Sequence, residues 1–152
     1  MRLECVEAFA DATVRVLVAT LGDEFGRGAL RLARAEERPG GVTVHVRFRG
    51  EIDGYVALNI DEPTALRLYN RATDEQNAHL PRIGLDYFME LGNLISAGAV
   101  SSLNELGFDV TVHPPQLLAD VVGADAVEVE SCQIPVYSPH GGILVQVVLN
   151  PR

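Results

Sequence analysis

Hydrophobic positions repeat along this chain with two different periods. Between Arg2 and Thr20, Cys5, Phe9, Ala12, Val16 and Ala19 recur every three or four residues. That spacing lines one face of an α-helix, which Leu21-Gly22 ends. After Val42 the period falls to two. Val42, Val44, Val46 and Phe48 alternate with Thr43, His45, Arg47 and Arg49, as in a strand with one buried face. Gly50-Glu51-Ile52-Asp53-Gly54 turns the chain, and Tyr55 to Ile60 returns as the antiparallel partner. Gly28 to Glu37 mixes Ala and Leu with Arg and reads as a further strand, closed by a Pro39-Gly40-Gly41 turn.

The second half continues the alternation of elements. Asp61 before Glu62-Pro63-Thr64 is an N-cap followed by proline in the first turn, so a helix runs from there to about Tyr69. Asn70 to Leu80 is a polar connector. Pro81 opens the longest helical pattern, through Leu106, which Gly107 closes. Phe108 to His113 forms a strand stopped by Pro114-Pro115, and a loop follows. Val127 to Val136 and Ile143 to Leu149 make a last hairpin around Ser138-Pro139-His140-Gly141-Gly142. Its second strand is apolar and is expected at a sheet edge that needs covering. No repeat or linker interrupts the chain. Residues 1–152 are therefore expected to form a single α+β domain, with a mostly antiparallel sheet packed by a long helix and additional helices.

Composition narrows the class. Of 152 residues, 47% are hydrophobic, enough for a core without disulfides. No apolar run approaches membrane-spanning length, and early acids rule out a signal peptide. Cys5 and Cys132 lie far apart in no metal spacing. A cytoplasmic protein with reduced thiols is expected. Charge adds more. All 12 cations are Arg, against 21 acids, for a net charge of −9. Residues 1–82 hold 11 of the Arg and 13 of the acids, whereas residues 83–152 hold eight acids and only Arg152. Such a surface offers no basic patch for nucleic acid and no attraction to an anionic membrane. It suits a partner that presents a basic patch.

The long helix carries the candidate chemistry. With about 100° per residue, Asp86, Glu90 and Asn93 fall within an arc of about 60° on successive turns. Phe88, Leu91, Ile95, Ala99 and Leu106 fall on the opposite side, so the core stripe is satisfied without the polar triplet. Ala97, Ser101 and Asn104 continue the outward face with short side chains. On spacing alone this is either the solvated face of an amphipathic helix or a site. Other chemistry is poorly supported. His45, His79, His113 and His140 are scattered, with no pair at ligand spacing, so no metal is expected. Ser101-Ser102 lacks a neighbouring base. The glycines form no phosphate-binding loop.

The stretch Asp86-Tyr-Phe-Met-Glu90-Leu-Gly-Asn93-Leu-Ile-Ser-Ala-Gly98-Ala resembles the active-site helix of the CheX/CheC/FliY family. The family pattern is Asp or Ser, three residues, Glu, two residues, Asn, and a later Pro. Asp86, Glu90 and Asn93 match it in type and spacing. Pro115 follows Asn93 by 22 positions, one fewer than usual. The likeness extends to the Val6-Glu7-Ala8-Phe9 helix, the Gly50 to Gly54 hairpin, the Glu62-Pro63-Thr64-Ala65-Leu66 helix start and the closing strand. It is strongest to the CheX branch, which carries one copy of the motif.

The resemblance implies a CheC-like fold and a phosphatase of CheY-type response regulators. The substrate would be the aspartyl phosphate of a receiver domain. The receiver would bring its own Mg²⁺ and Lys, so no cofactor of the chain's own is expected. Asn93 would hold the attacking water, because a carboxamide oxygen accepts from water while its NH₂ donates to a phosphoryl oxygen. Glu90 would pair with the receiver's Lys, and Asp86 would contact the partner at the rim. Gly98 and Pro115 would shape the surroundings. CheX-like proteins also imply a homodimer. Two other readings of the helix stand beside the enzyme: a receiver-binding module without catalysis, and a dimerisation domain whose polar face is merely solvated.

Overall fold

The computed structural model describes residues 3–22, 24–34, 41–117 and 130–149. Helix α1 (Leu3–Leu21) leads into two short strands, β1 (Gly26–Arg27) and β2 (Arg31–Arg34). A hairpin of β3 (Val42–Gly50) and β4 (Gly54–Ile60) follows, then α2 (Glu62–Thr73) and α3 (Ile83–Glu105). The chain closes with β5 (Val110–Val112), β6 (Gln116–Leu117), β7 (Glu130–Ser138) and β8 (Gly141–Leu149). The eight strands among the described residues form one antiparallel sheet, with the order β1-β7-β8-β4-β3-β5; β2 also pairs with β7 and β6 with β3.

The period-two pattern of β3 sets the face of the sheet. Val44 pairs with Leu58, Leu58 with Val145 and Val145 with Ile134, so one apolar row crosses four strands. These four side chains are buried. Phe9 of α1 stacks on Phe48 of the same face, with ring centroids 5.3 Å apart. Helices α1 and α3 cover this face and pack on each other. The reverse face carries a buried polar row. Arg31 Nε donates to Gln133 Oε1 at 3.1 Å, and Gln133 Nε2 donates to Gln146 Oε1 at 3.1 Å. A slip of one residue would bring these amides into the apolar core, so the row holds the register.

The predicted hairpin of β3 and β4 and the Asp61 cap are both present. Asp61 is extended, and its Oδ1 accepts from Thr64 N at 2.8 Å. Several boundaries differ. Helix α2 continues to Thr73, beyond Tyr69, and ends on left-handed Asp74; its last turn is polar, so no apolar stripe announces it. The α1 stripe runs through Leu17 and Leu21, while Ala19 is exposed. Of the expected strand at Gly28 to Glu37, Arg31–Arg34 forms β2, with the separate β1 at Gly26–Arg27 just before the expected span and 35–40 outside the described residues. The strand predicted from Val127 is described from Glu130.

The largest correction concerns Ile143 to Leu149. It is not an edge: β8 lies between β7 and β4, and Ile143, Leu144, Val145, Gln146, Val147 and Val148 are all buried. A nearly continuous apolar run marks a strand covered on both faces, and only the pairing with β4 shows that it is central. Among the described residues no helix is long and apolar enough to cross a membrane.

Candidate functional site

Helix α3 is held on two sides and open on the third. Gly92 faces β3 so closely that a Cβ there would lie 2.7 Å from Val44 Cγ1 and 3.9 Å from Pro115 Cβ. Gly98 faces α1, where a Cβ would lie 3.6 Å from that of Ala12. Phe88, Leu91, Ile95, Ala99 and Leu103 fill the stripe between these contacts and are buried. The helix stops where the stripe ends. Gly107 has φ +96°, and Phe108 N donates to Leu103 O at 3.0 Å, the left-handed ending that glycine permits. Leu106, expected in the stripe, instead caps the helix and is 63% exposed.

Asp86, Glu90 and Asn93 all stand exposed on the open side. Among the described residues none of the three makes a side-chain hydrogen bond or ion pair. Two turns of helix therefore present two carboxylates and a carboxamide with their polar atoms unspent. Ala97, Ser101 and Asn104 are exposed beyond them, although Asn104 Oδ1 accepts from Val110 N at 3.4 Å. Pro115 lies against Gly92, the residue before Asn93, and directly precedes β6 rather than a free loop.

The surroundings include groups that the spacing argument passed over. Ile83 is 64% exposed and Leu94 is 43% exposed beside the triplet; their positions on the helical wheel would have located both. Tyr87 packs edge-on against Tyr69 and Phe88. Burial raises its phenol above the ordinary value, and its hydroxyl has no hydrogen-bond partner among the described residues. Arg15 reaches α3 from α1, its Nη2 lying 3.4 Å from Ser102 Oγ; no feature of α3 itself could announce a residue from another element. Among the described residues no group of His, Cys, Asp and Glu is placed to hold a metal ion.

The fold is shared with solved structures. A CheC-like superfamily protein from Shewanella sp. PV-4 superposes with a TM-score of 0.84 at 18% identity, over 99% of this chain and 100% of its own. A chemotaxis protein CheX from Vibrio vulnificus gives 0.82 at 22% identity, over 97% and 99%. CheX in a complex with CheY, BeF3 and Mg²⁺ from Borrelia burgdorferi gives 0.76 at 23% identity, over 99% and 100%. The fold is thus CheC-like. No curated protein matches the chain. The sequence profile described as chemotaxis phosphatase CheX matches residues 42–136, a span holding the β3–β4 hairpin, α3 with its outward triplet, and Pro115. The chain therefore belongs to the CheX family of chemotaxis phosphatases.

Proposed function

We propose that this protein hydrolyses the aspartyl phosphate of a CheY-like receiver domain, with α3 as its docking and catalytic surface. The carrying observation is the exposed Asp86, Glu90 and Asn93, unpaired among the described residues, on the long helix of a CheX-family fold. The Borrelia relative was crystallised with CheY, BeF3 and Mg²⁺, which supports a receiver as the partner here.

An acyl phosphate has a good leaving group, so positioning and charge neutralisation matter more than a strong base. In the docked complex, Asn93 Oδ1 accepts a hydrogen bond from water and aligns its oxygen with phosphorus. Asn93 Nδ2 donates to a phosphoryl oxygen. The new P–O bond forms as the bond to the receiver's aspartate breaks, and the electron pair leaves with that carboxylate. The water's proton passes to the released phosphate. The receiver supplies the Mg²⁺ and the Lys. Glu90 pairs with that Lys, and Asp86, a turn earlier, contacts the rim. Restricting one water in this way contributes several kcal/mol. Mixing the protein with a phosphorylated receiver from the same cell and following phosphate release tests the reading. Release above the receiver's own rate is expected; binding without release would favour a docking module instead.

The same reading includes a homodimer. With β8 in the interior, the outer side of β2, which among the described residues pairs with β7 alone, takes its place as the edge to be covered. Light scattering should give about twice the 16.4 kDa chain mass; a monomeric mass at high concentration would remove the dimer without touching the phosphatase.

A further inference from the structure

Helix α3 exposes two large aliphatic side chains that the fold does not use. Ile83 and Leu94 are both exposed. Neither belongs to the hydrophobic core or to the partly buried residues packed against it. Their neighbours on the same helix behave otherwise: Leu91 and Ile95 are buried, and Tyr87 and Val100 are half-buried against the core. A single exposed aliphatic residue is ordinary on a protein surface, so the positions of these two carry the argument.

At about 100° per residue and with Asp86 as zero, Ile83 falls at about 60°, Glu90 at about 40° and Leu94 at about 80°. All three are exposed and stand on one strip of the open face, with Glu90 between the two aliphatic residues. Leu94 is one turn past Glu90, about 6 Å along the axis, and Ile83 is about 10 Å before it. Side chains on an α-helix lean toward its N-terminus. Leu94 therefore leans over the turn that carries Glu90, whereas Ile83 leans away from it. Beyond Leu94 the strip continues with Ala97 and Ser101, both exposed and short, so for the next two turns no long side chain of this strip holds a partner off. An ion pair left in water adds little to binding. The same pair is stronger once water is excluded, and Leu94 is the residue of α3 placed to exclude it from Glu90.

Resting on the proposed receiver-docking role of α3, we propose that Leu94 is a specificity-determining docking residue: it seats against an apolar side chain of the receiver and shields the pair between Glu90 and the receiver's Lys from water. A receiver with an apolar side chain beside its Lys buries Leu94 and keeps the pair dry. One with a charged or amide side chain there must bury that group without a partner. Leu94 takes no part in the chemical step.

The test uses the intact protein and receivers from the same cell, loaded with beryllofluoride and Mg²⁺. Leu94→Ala removes the apolar bulk, Leu94→Gln keeps the length and makes it polar, and Leu94→Met keeps it apolar. Affinity should fall about tenfold for Leu94→Ala and further for Leu94→Gln, while Leu94→Met should bind within about twofold of wild type. In phosphate release, KM should rise for the first two variants while kcat at saturating receiver stays within about twofold. A double-mutant cycle reads the shielding itself. Glu90→Gln should cost about threefold less affinity in Leu94→Ala than in wild type, because the pair is already wet there. Equal affinity of wild type, Leu94→Ala and Leu94→Gln for a receiver that wild type binds overturns the Leu94 proposal alone. Additive effects in the cycle, or a fall in kcat at constant KM, also overturn it. A wild type that neither binds nor dephosphorylates any of the receivers overturns the phosphatase reading, and this proposal with it.

Discussion

Gly92 and Val44 are in contact distance across the helix–sheet interface only because one of them lacks a side chain: a Cβ on Gly92 would stand 2.7 Å from Val44 Cγ1. Asn93 is the next residue, about 100° further round the helix, and is exposed. The depth at which α3 sits on β3 thus sets the height of the candidate catalytic amide above the sheet. Val44 is fully buried and β-branched, so it has little freedom to move aside. Gly92→Val should destabilise the fold by about 1–3 kcal/mol through overpacking, measured by urea unfolding. In a double-mutant cycle, Val44→Ala should recover part of the loss from Gly92→Val, a coupling expected only for residues in contact. Additive effects would refute the contact.

Asn93→Ala removes the group assigned to orient water and leaves the helix charges unchanged. Receiver dephosphorylation should fall about a hundredfold or more, the scale for loss of one positioned transition-state donor. Binding to a beryllofluoride-loaded receiver should change little. Full activity in the variant would move the water-holding group elsewhere.

Glu90→Ala should behave differently. Glu90 is exposed in the free protein, so the fold should lose almost no stability. At a docked interface, loss of the same carboxylate would leave a receiver Lys unpaired. Affinity should drop by about 1–3 kcal/mol, visible by calorimetry, and activity should fall with it. A variant that binds as tightly as wild type would separate Glu90 from docking.

His45 should make stability depend on pH just below neutrality. Burial, and then the neighbouring Arg47, lower its imidazole from the ordinary 6.5; the ring stacks on Tyr55 at 4.4 Å. Between the lowered value and 6.5 the unfolded chain binds more protons than the folded one. Stability is therefore complete above the unfolded value and declines as pH falls through that window. His45→Gln should flatten the slope of Tm against pH there. An unchanged slope would assign it to other groups.

Cys5 should resist thiol reagents. Burial, with a smaller contribution from Glu4, pushes its thiol up to about 12, and the thiolate is the reactive form. Cys132 is buried as well. At pH 8 a chromogenic disulfide should label neither thiol in the native protein, and both after denaturation. Rapid native labelling would show that α1 opens locally.

Much of the molecule follows from local rules. The period of two in Val42 to Phe48, the Asp61 cap and the glycine at position 107 each act within a few residues, and each appears as the residues require. The outward placement of Asp86, Glu90 and Asn93 belongs with them, because one helix's geometry suffices to separate a polar arc from an apolar stripe. The tertiary structure decided the rest. An apolar run such as Ile143 to Val148 looks the same whether it borders the sheet or crosses its middle, and pairing with β4 on one side and β7 on the other settles which. Leu106 has the right angle for the core, but the sheet-facing stripe has already ended at Leu103. Arg15 joins the site helix from more than eighty residues away. Periodicity reports how a segment divides its own faces; it carries no information about which distant segment comes to lie against each face, because that depends on packing between elements.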